Sequence, residues 1–233
     1  MGNNKATRRS FLASAAATST NSIYFQNDES LYVNLFIPSR LDWTERGMRV
    51  SQTTKLPNEE RTTLTIDKAP KVATSIKVRV PYWVQSDMAV HINGAPQKNT
   101  IDEAHYLTID HAWKSGDVVT IDLPLAMHVN QAPDDKNIQA AMYGPLVLAA
   151  LLGTDGLTTT MIYAGSGPRD PSGAMPMPEV TEPGIWFERT EATREYPIRF
   201  KSKDRGPLHT LVPLSDIMDE RYSVYLRNTA AEA

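Results

Sequence analysis

Apolar and polar residues alternate with a period of two along most of the chain, which is the pattern of half-buried β-strands. The first clear example spans residues 31–37, where one predicted face carries Leu31, Val33, Leu35 and Ile37. The opposite face carries the aromatic rings of Tyr32 and Phe36. A strand with rings on its second face usually packs on both sides, so we expect a second sheet or another domain against this face.

Further alternating or β-branched runs predict strands through to the end of the chain, and no run shows a convincing 3.6-residue period. Asn93-Gly94 between two of these runs is a strong signal for a β-hairpin. The recurrence of short strands indicates an all-β fold, an antiparallel β-sandwich, rather than an α/β fold. The remaining predicted strands cover residues 48–53, 62–66, 75–80, 89–92, 106–109, 118–123, 127–130, 139–152 (a strand pair or a bent strand), 198–200, 209–214 and 222–226.

Residues 153–194 differ in kind, since they are rich in Gly, Pro and Thr. This composition predicts a long loop region around short strands near Ile162 and Ile185.

Composition and charge exclude several classes of function. The chain has 233 residues, 41% of them hydrophobic, and a formal net charge of -3, so no basic surface for nucleic acid is expected. It contains no cysteine, which excludes disulfides, thiolate nucleophiles and cysteine-ligated metals. The most apolar run, residues 140–152, is too short to span a membrane and contains Gly144 and Pro145.

Residues 1–20 are predicted to be a signal segment, either disordered or helical. Thr7-Arg8-Arg9-Ser10-Phe11-Leu12 resembles the twin-arginine export signature, and a run of small residues follows it. The alternative is a basic disordered tail. Paired arginines before Phe-Leu and alanines favour export, so we expect a periplasmic or secreted protein.

No catalytic residue or cofactor site is predicted. Two facing carboxyl groups are a common arrangement for general acid–base hydrolysis. The acidic pairs of this chain lie in predicted turns with no apolar residues beside them, and turns favour such residues for other reasons. The five histidines lack metal-ligand spacing, and no metal is expected. The four acidic pairs mentioned above are Glu59-Glu60, Asp102-Glu103, Asp134-Asp135 and Asp219-Glu220.

Aromatic residues near strand ends form the more informative set. Such rings stack on sugars in many β-sandwich modules, but they also cap cores or pack on a neighbouring domain. We therefore assign carbohydrate binding or a domain interface to Tyr32, Phe36, Trp43, Trp83, Trp113 and Tyr143.

The order and spacing of seven short motifs resemble the C-terminal β-sandwich region of the β-L-arabinofuranosidase family of glycoside hydrolases, GH127. The resemblance covers nearly everything after Asn21. The motifs are the run from Leu31 to Trp43, Tyr82-Trp83, Ile92-Asn93-Gly94, Trp113-Lys114-Ser115-Gly116-Asp117, Met142 to Ala149, Leu211-Val212-Pro213-Leu214 and Arg221 to Tyr225.

The resemblance implies two successive jelly-roll-like sandwich modules, residues 22–126 and 127–228, although periodicity alone is equally compatible with one larger sandwich. In the family, catalysis belongs to an (α/α)6 barrel in which a glutamate and cysteines hold zinc. No residue of that site has a match here. The expected function is therefore a non-catalytic accessory or scaffold part of a glycoside hydrolase, inactive alone.

Two alternatives stay open, an exported glycosidase acting on β-L-arabinofuranosides and a secreted carbohydrate-binding module. Expected partners are a catalytic barrel or a second copy of the chain, bound through an exposed aromatic face that includes Tyr32 and Phe36. Plant-type arabinose-containing glycans are expected as ligands under the binding alternative.

Overall fold

The structure is a computed structural model, and it describes residues 23–157, 177–181, 187–203 and 209–229. These residues form twenty β-strands and no α-helix, and most strand pairs are antiparallel. The predicted all-β fold class is confirmed. The signal segment predicted at residues 1–20 and the strands predicted near Ile162 and Ile185 lie outside the described residues. No helix of the described part is long and apolar enough to cross a membrane.

The strands are numbered in chain order. They are β1 (Tyr24–Gln26), β2 (Ser30–Val33), β3 (Ser39–Trp43), β4 (Met48–Thr54), β5 (Arg61–Lys68), β6 (Ser75–Arg79), β7 (Val90–Ile92), β8 (Ala95–Gln97), β9 (Thr100–Ile101), β10 (Tyr106–Ile109), β11 (Val118–Asp122), β12 (Met127–Gln131), β13 (Ile138–Tyr143), β14 (Leu146–Leu151), β15 (Glu179–Val180), β16 (Phe187–Arg189), β17 (Phe200–Ser202), β18 (Thr210–Pro213), β19 (Tyr222–Ser223) and β20 (Tyr225–Asn228). A short 3₁₀ helix, Leu214–Asp216, follows β18.

The chain divides into two compact units. Of the described residues, the first unit contains 23–56, 61–81 and 88–123, and the second contains 57–60, 82–87 and those from 124 onward. Leu123 thus belongs to the first unit and Pro124 to the second. The assignment of residues 22–126 and 127–228 to two jelly-roll-like modules stays a prediction.

The first unit consists of two sheets, in the strand orders β1-β2-β6-β10-β9 and β3-β4-β5-β11-β7-β8. Each sheet buries one face through alternate residues such as Ile76 and Val78 in β6 and Leu64 and Ile66 in β5. The two sheets are joined in the buried interior by the hydroxyl group of Tyr24, which donates a hydrogen bond of 3.1 Å to Gln52 Oε1. This polar link accompanies the apolar contact that stabilises the unit.

The second unit is built on one nine-stranded sheet. Its main order is β15-β20-β13-β14-β18-β17-β16, with β12 beside β13 and β19 beside β14. One face of this sheet packs into an apolar core. The buried core residues are Ala141, Tyr143, Leu148, Ala150, Val180, Phe187, Ile198, Phe200, Leu211 and Leu226.

The first predicted strand was too long. Leu31 and Val33 are fully buried as expected, but β2 ends at Val33 and Ile37 is 47% exposed. After Val33 the amides of Asn34 and Leu35 both donate to the carbonyl oxygen of Ile23, so the chain bends instead of continuing the ladder. Pro38 lies immediately before β3. Proline has no amide hydrogen to donate to a neighbouring strand, so the ladder of β3 begins only after it.

The predicted hairpin at Asn93-Gly94 is confirmed, and of the two alternatives predicted for residues 139–152 the structure shows the strand pair. Asn93 and Gly94 join β7 to β8 with φ angles of 51° and 83°, the positive values that a tight hairpin turn requires. Residues 139–152 form a strand pair, β13 and β14, connected by the two-residue turn Gly144-Pro145.

Candidate functional site

Four of the six aromatic residues assigned to a binding or interface role are buried. These are Trp43, Trp83, Trp113 and Tyr143. Their ring faces are not available to a sugar in this structure, so their burial favours the alternative in which they cap the cores. The other two, Tyr32 and Phe36, are half-buried.

Trp113 is held by hydrogen bonding and ring contact. Its indole Nε1–H donates to the carbonyl oxygen of Thr74 at 2.7 Å, and the ring of His111 meets it edge-on with centroids 5.0 Å apart. A buried indole that finds a carbonyl partner is a stabilising contact between neighbouring segments. Trp113 therefore serves the packing of the first unit.

Tyr143 connects the core of the second unit to two charged side chains, Glu60 and Arg189. Its hydroxyl group donates to Glu60 Oε1 at 3.0 Å and accepts from Arg189 Nη1 at 2.9 Å. Burial raises the pKa of the Tyr143 phenol, and the hydrogen bond to Glu60 adds to that rise. The phenol therefore stays protonated at neutral pH, and Glu60 is a hydrogen-bond acceptor for it.

A polar and aromatic surface surrounds Tyr32 on the first sheet, and we call it the Tyr32 face. It comprises Tyr32, Asn34, Lys77, Arg79 and Tyr106, which lie on adjacent strands or their ends. The rings of Tyr32 and Tyr106 meet edge-on at 5.1 Å, and the ammonium group of Lys77 lies 5.6 Å from the centre of the Tyr32 ring.

Hydrogen bonds fix the rest of the Tyr32 face. The hydroxyl group of Tyr106 donates to Asn34 Oδ1 at 3.3 Å, and Arg79 Nε donates to the carbonyl oxygen of Asn34 at 2.8 Å. Burial raises the pKa of Tyr106, so this donor is protonated at neutral pH. The face is therefore a pre-ordered surface of rings, amide and cations, of the kind that suits a polar protein interface.

Asp102 lies at the edge of this face and is unsuited to act as a general acid. Its carboxylate accepts from Lys77 Nζ at 3.1 Å and from the amides of Ala104 and Tyr106. Burial alone would raise the pKa of Asp102, but the hydrogen bonds from Tyr106 and Lys77 outweigh it and lower the pKa. A general acid at neutral pH needs the opposite shift.

Two of the motifs behind the family resemblance meet at Asp117. Its carboxylate accepts from Asn93 Nδ2 at 2.9 Å and from the amide of Lys114 at 2.7 Å, and His111 Nε2 lies 3.4 Å away. The hydrogen bonds from Asn93 and Lys114 lower the pKa of Asp117. Asp117 therefore connects the Asn93-Gly94 hairpin to the Trp113–Asp117 turn.

Within the described residues, no group of three or more His, Asp or Glu side chains is arranged to hold a metal ion. The carboxylates with the clearest environments, Glu60, Asp102 and Asp117, each have a different structural partner. Each of these carboxylates is therefore held by a contact within the fold.

The middle domain of the GH127 β-L-arabinofuranosidases matches residues 30–125. The resemblance to the GH127 family is confirmed for these residues, and the matching part of the family is its middle domain. No curated protein sequence matches the chain.

Solved glycoside hydrolase structures share the fold. A GH127 β-arabinofuranosidase superposes with a TM-score of 0.63 and 18% identity over 90% of this chain and 36% of its own. A GH127 β-L-arabinofuranosidase from Geobacillus stearothermophilus T6 superposes with a TM-score of 0.58 and 17% identity, covering 89% of this chain and 35% of its own length. A third structure, titled a glycoside hydrolase, superposes with a TM-score of 0.60 and 18% identity, covering 88% of this chain and 37% of its own length. The chain thus spans little more than a third of the length of these proteins.

Proposed function

We propose that this chain is a non-catalytic β-sandwich part of a glycoside hydrolase similar to the β-L-arabinofuranosidases, and that it acts as a scaffold for a separate catalytic part. The observation that carries the proposal is the match of residues 30–125 to a domain that the family describes as its middle domain. The family resemblance implies that bond cleavage belongs to an (α/α)6 barrel with a zinc-bound thiolate, and this chain contains no cysteine.

The Tyr32 face is the proposed docking surface for that barrel. It is half-buried and pre-ordered, and it combines aromatic rings with the cations Lys77 and Arg79. Aromatic and arginine side chains are enriched at protein interfaces because they give contact area together with hydrogen bonds. Phe36, a half-buried aromatic residue four positions after Tyr32 in the sequence, is included in the proposed surface.

An activity assay tests the non-catalytic part of the proposal. The purified chain is incubated with an aryl β-L-arabinofuranoside, with and without added zinc. We expect no turnover above the uncatalysed rate in either condition, since no thiolate is present to attack the anomeric carbon or to bind zinc. Zinc-dependent turnover by the chain alone would overturn the proposal in favour of an autonomous glycosidase.

A binding experiment tests the scaffold role. The chain is mixed with the separately expressed barrel of the Geobacillus relative and analysed by size-exclusion chromatography. We expect co-elution, and we expect Phe36→Asp to weaken it because a carboxylate would be buried without a partner. Val72→Asp, at an exposed apolar position of the same unit, is the matched control and should co-elute normally. Equally weakened co-elution of the two variants, or no co-elution of the wild-type chain, would contradict docking through this face.

Twin-arginine export to the periplasm or beyond is part of the same proposal, supported by Arg8-Arg9 before Ser-Phe-Leu. Cell fractionation of a tagged chain tests it. The wild-type chain should leave the cytoplasm, and the double substitution Arg8→Lys with Arg9→Lys should retain it there. Export that is insensitive to the double substitution would argue against this route.

A further inference from the structure

A cleft of about 600 Å³ lies on the second unit, over the face of its sheet that is turned away from the core. In β13 and β14 the core side chains belong to Ala141, Tyr143, Leu148 and Ala150. The alternate residues, Ala140, Met142 and Val147, line the cleft. Its volume lies in the range of about 300–1,000 Å³ that small-molecule sites usually have.

The register of three strands explains why a cleft forms on this face of the sheet. Asn130 of β12 lies opposite Ala140 of β13, and Ala140 lies opposite Tyr225 of β20. Neighbouring strands are about 4.8 Å apart, so the backbones of Asn130 and Tyr225 are roughly 10 Å apart across the row. Ala140, between them, has no side chain beyond Cβ. The row therefore forms a trough with a polar wall, an apolar floor and an aromatic wall.

The walls carry polar groups that are ready for a ligand. Asn130, Gln131 and Asp134 line one side and are exposed, and none of their side chains forms a hydrogen bond with another described residue. Tyr225 on the other side is 53% exposed. The cleft thus offers amide donors and acceptors, one carboxylate acceptor and one ring that carries a hydroxyl group.

We propose that this cleft binds a neutral glycan, with one sugar ring seated over Ala140. A sugar has apolar C–H faces and a rim of hydroxyl groups. Tyr225 stacks on a C–H face, while Asn130, Gln131 and Asp134 hydrogen-bond to the hydroxyl groups. An apolar ligand would leave these polar groups unpaired, and an anionic one would be repelled by Asp134. This inference is independent of the scaffold role, and no catalytic step is involved.

Native affinity gel electrophoresis of the full chain tests the proposal, with soluble arabinan, arabinoxylan, galactomannan and mixed-linkage β-glucan as probes. We expect at least one polysaccharide to retard the chain. Tyr225→Ala should weaken that binding about tenfold through loss of stacking, and Asn130→Ala about fivefold through loss of hydrogen bonds. Ala140→Leu should abolish binding because it fills the trough while leaving Tyr225 and Asn130 in place.

Tyr222→Ala is the matched control, since Tyr222 is 50% exposed, lies three residues from Tyr225 and does not line the cleft. It should bind like the wild type, and thermal melting should verify that every variant is folded. Retardation by none of the four polysaccharides would overturn the proposal. So would equal weakening by Tyr222→Ala and Tyr225→Ala, or full binding by a folded Ala140→Leu variant, since either result would place the contact outside the trough.

Discussion

At the scale of single residues, Asp117 shows what a short motif contributes to the fold. The sequence predicts turns at Lys114–Asp117 and Asn93-Gly94 from their own residues, and both turns are confirmed. The contact between them was not predicted. Asn93 and Asp117 are 24 residues apart, and their hydrogen bond depends on the neighbouring positions of β7 and β11 in the sheet. The residues of a turn are enough to predict that turn. Which two turns come into contact depends on the order of the strands in the sheet, and local sequence does not give that order.

Replacing Asp117 by asparagine should destabilise the chain by about 2–3 kcal/mol. The substitution removes charge-assisted hydrogen bonds from Asn93 and Lys114 and turns an amide toward the donors that remain. Urea denaturation followed by tryptophan fluorescence measures the change. Asp42→Asn, which removes an exposed ion pair with Arg49, should change the free energy of unfolding by less than about 1 kcal/mol. Equal effects would show that Asp117 has no special role.

The same carboxylate predicts a pH dependence. Because the pKa of Asp117 is lowered in the folded chain, its contribution to stability is fully present above the ordinary value of about 3.9. That contribution is lost as the pH falls through the lowered folded-state pKa. The difference in free energy of unfolding between the wild type and Asp117→Asn should therefore narrow below about pH 4. A difference that stays constant down to acid pH would contradict this account.

At the scale of elements, the hairpin between β13 and β14 depends on one glycine. Gly144 has a φ angle of 53°, and a Cβ atom there would clash with the Cδ2 methyl group of Leu125. The sequence predicted a strand pair or a bent strand here, because Gly-Pro within an apolar run indicates a break but does not say how the chain returns. The clash depends on Leu125, which precedes β12, and no periodicity identifies such a contact.

Gly144→Ala should destabilise the second unit by about 2–4 kcal/mol, through the positive φ angle together with overpacking against Leu125. Gly153→Ala is the control. Gly153 has a φ angle of 81° and open space around it, so its substitution should cost only about 1–2 kcal/mol. Thermal unfolding monitored by circular dichroism compares the two. A Gly153 variant at least as unstable as the Gly144 variant would exclude the proposed clash.

At the scale of the whole chain, alternation predicted the fold class but not the sheet order. The cleft forms from Asn130, Ala140 and Tyr225, which are neighbours only because β20 returns to lie beside β13. Each of these strands reads as an ordinary half-buried strand in the sequence. The predicted aromatic set favoured tryptophans, which are large enough to be needed in the cores. Among the residues that the structure describes, the largely exposed tyrosine and tryptophan rings are those of Tyr82, Tyr222 and Tyr225, whose hydroxyl groups tolerate water.

The charge of the whole chain predicts pH-dependent self-association. The formal net charge is -3 with the five histidines neutral, and the isoelectric point is about 6.0. At the isoelectric point the net charge falls to zero and the net repulsion between copies disappears, so we expect the surface around Tyr32 and Phe36 to pair with the same surface of a second copy. Sedimentation velocity should give a larger average mass at pH 6 than at pH 8. Phe36→Ser should reduce this difference, whereas Met218→Ser, at an exposed position of the second unit, should not. Equal mass at both pH values, or an equal effect of both substitutions, would show that this surface does not mediate self-association.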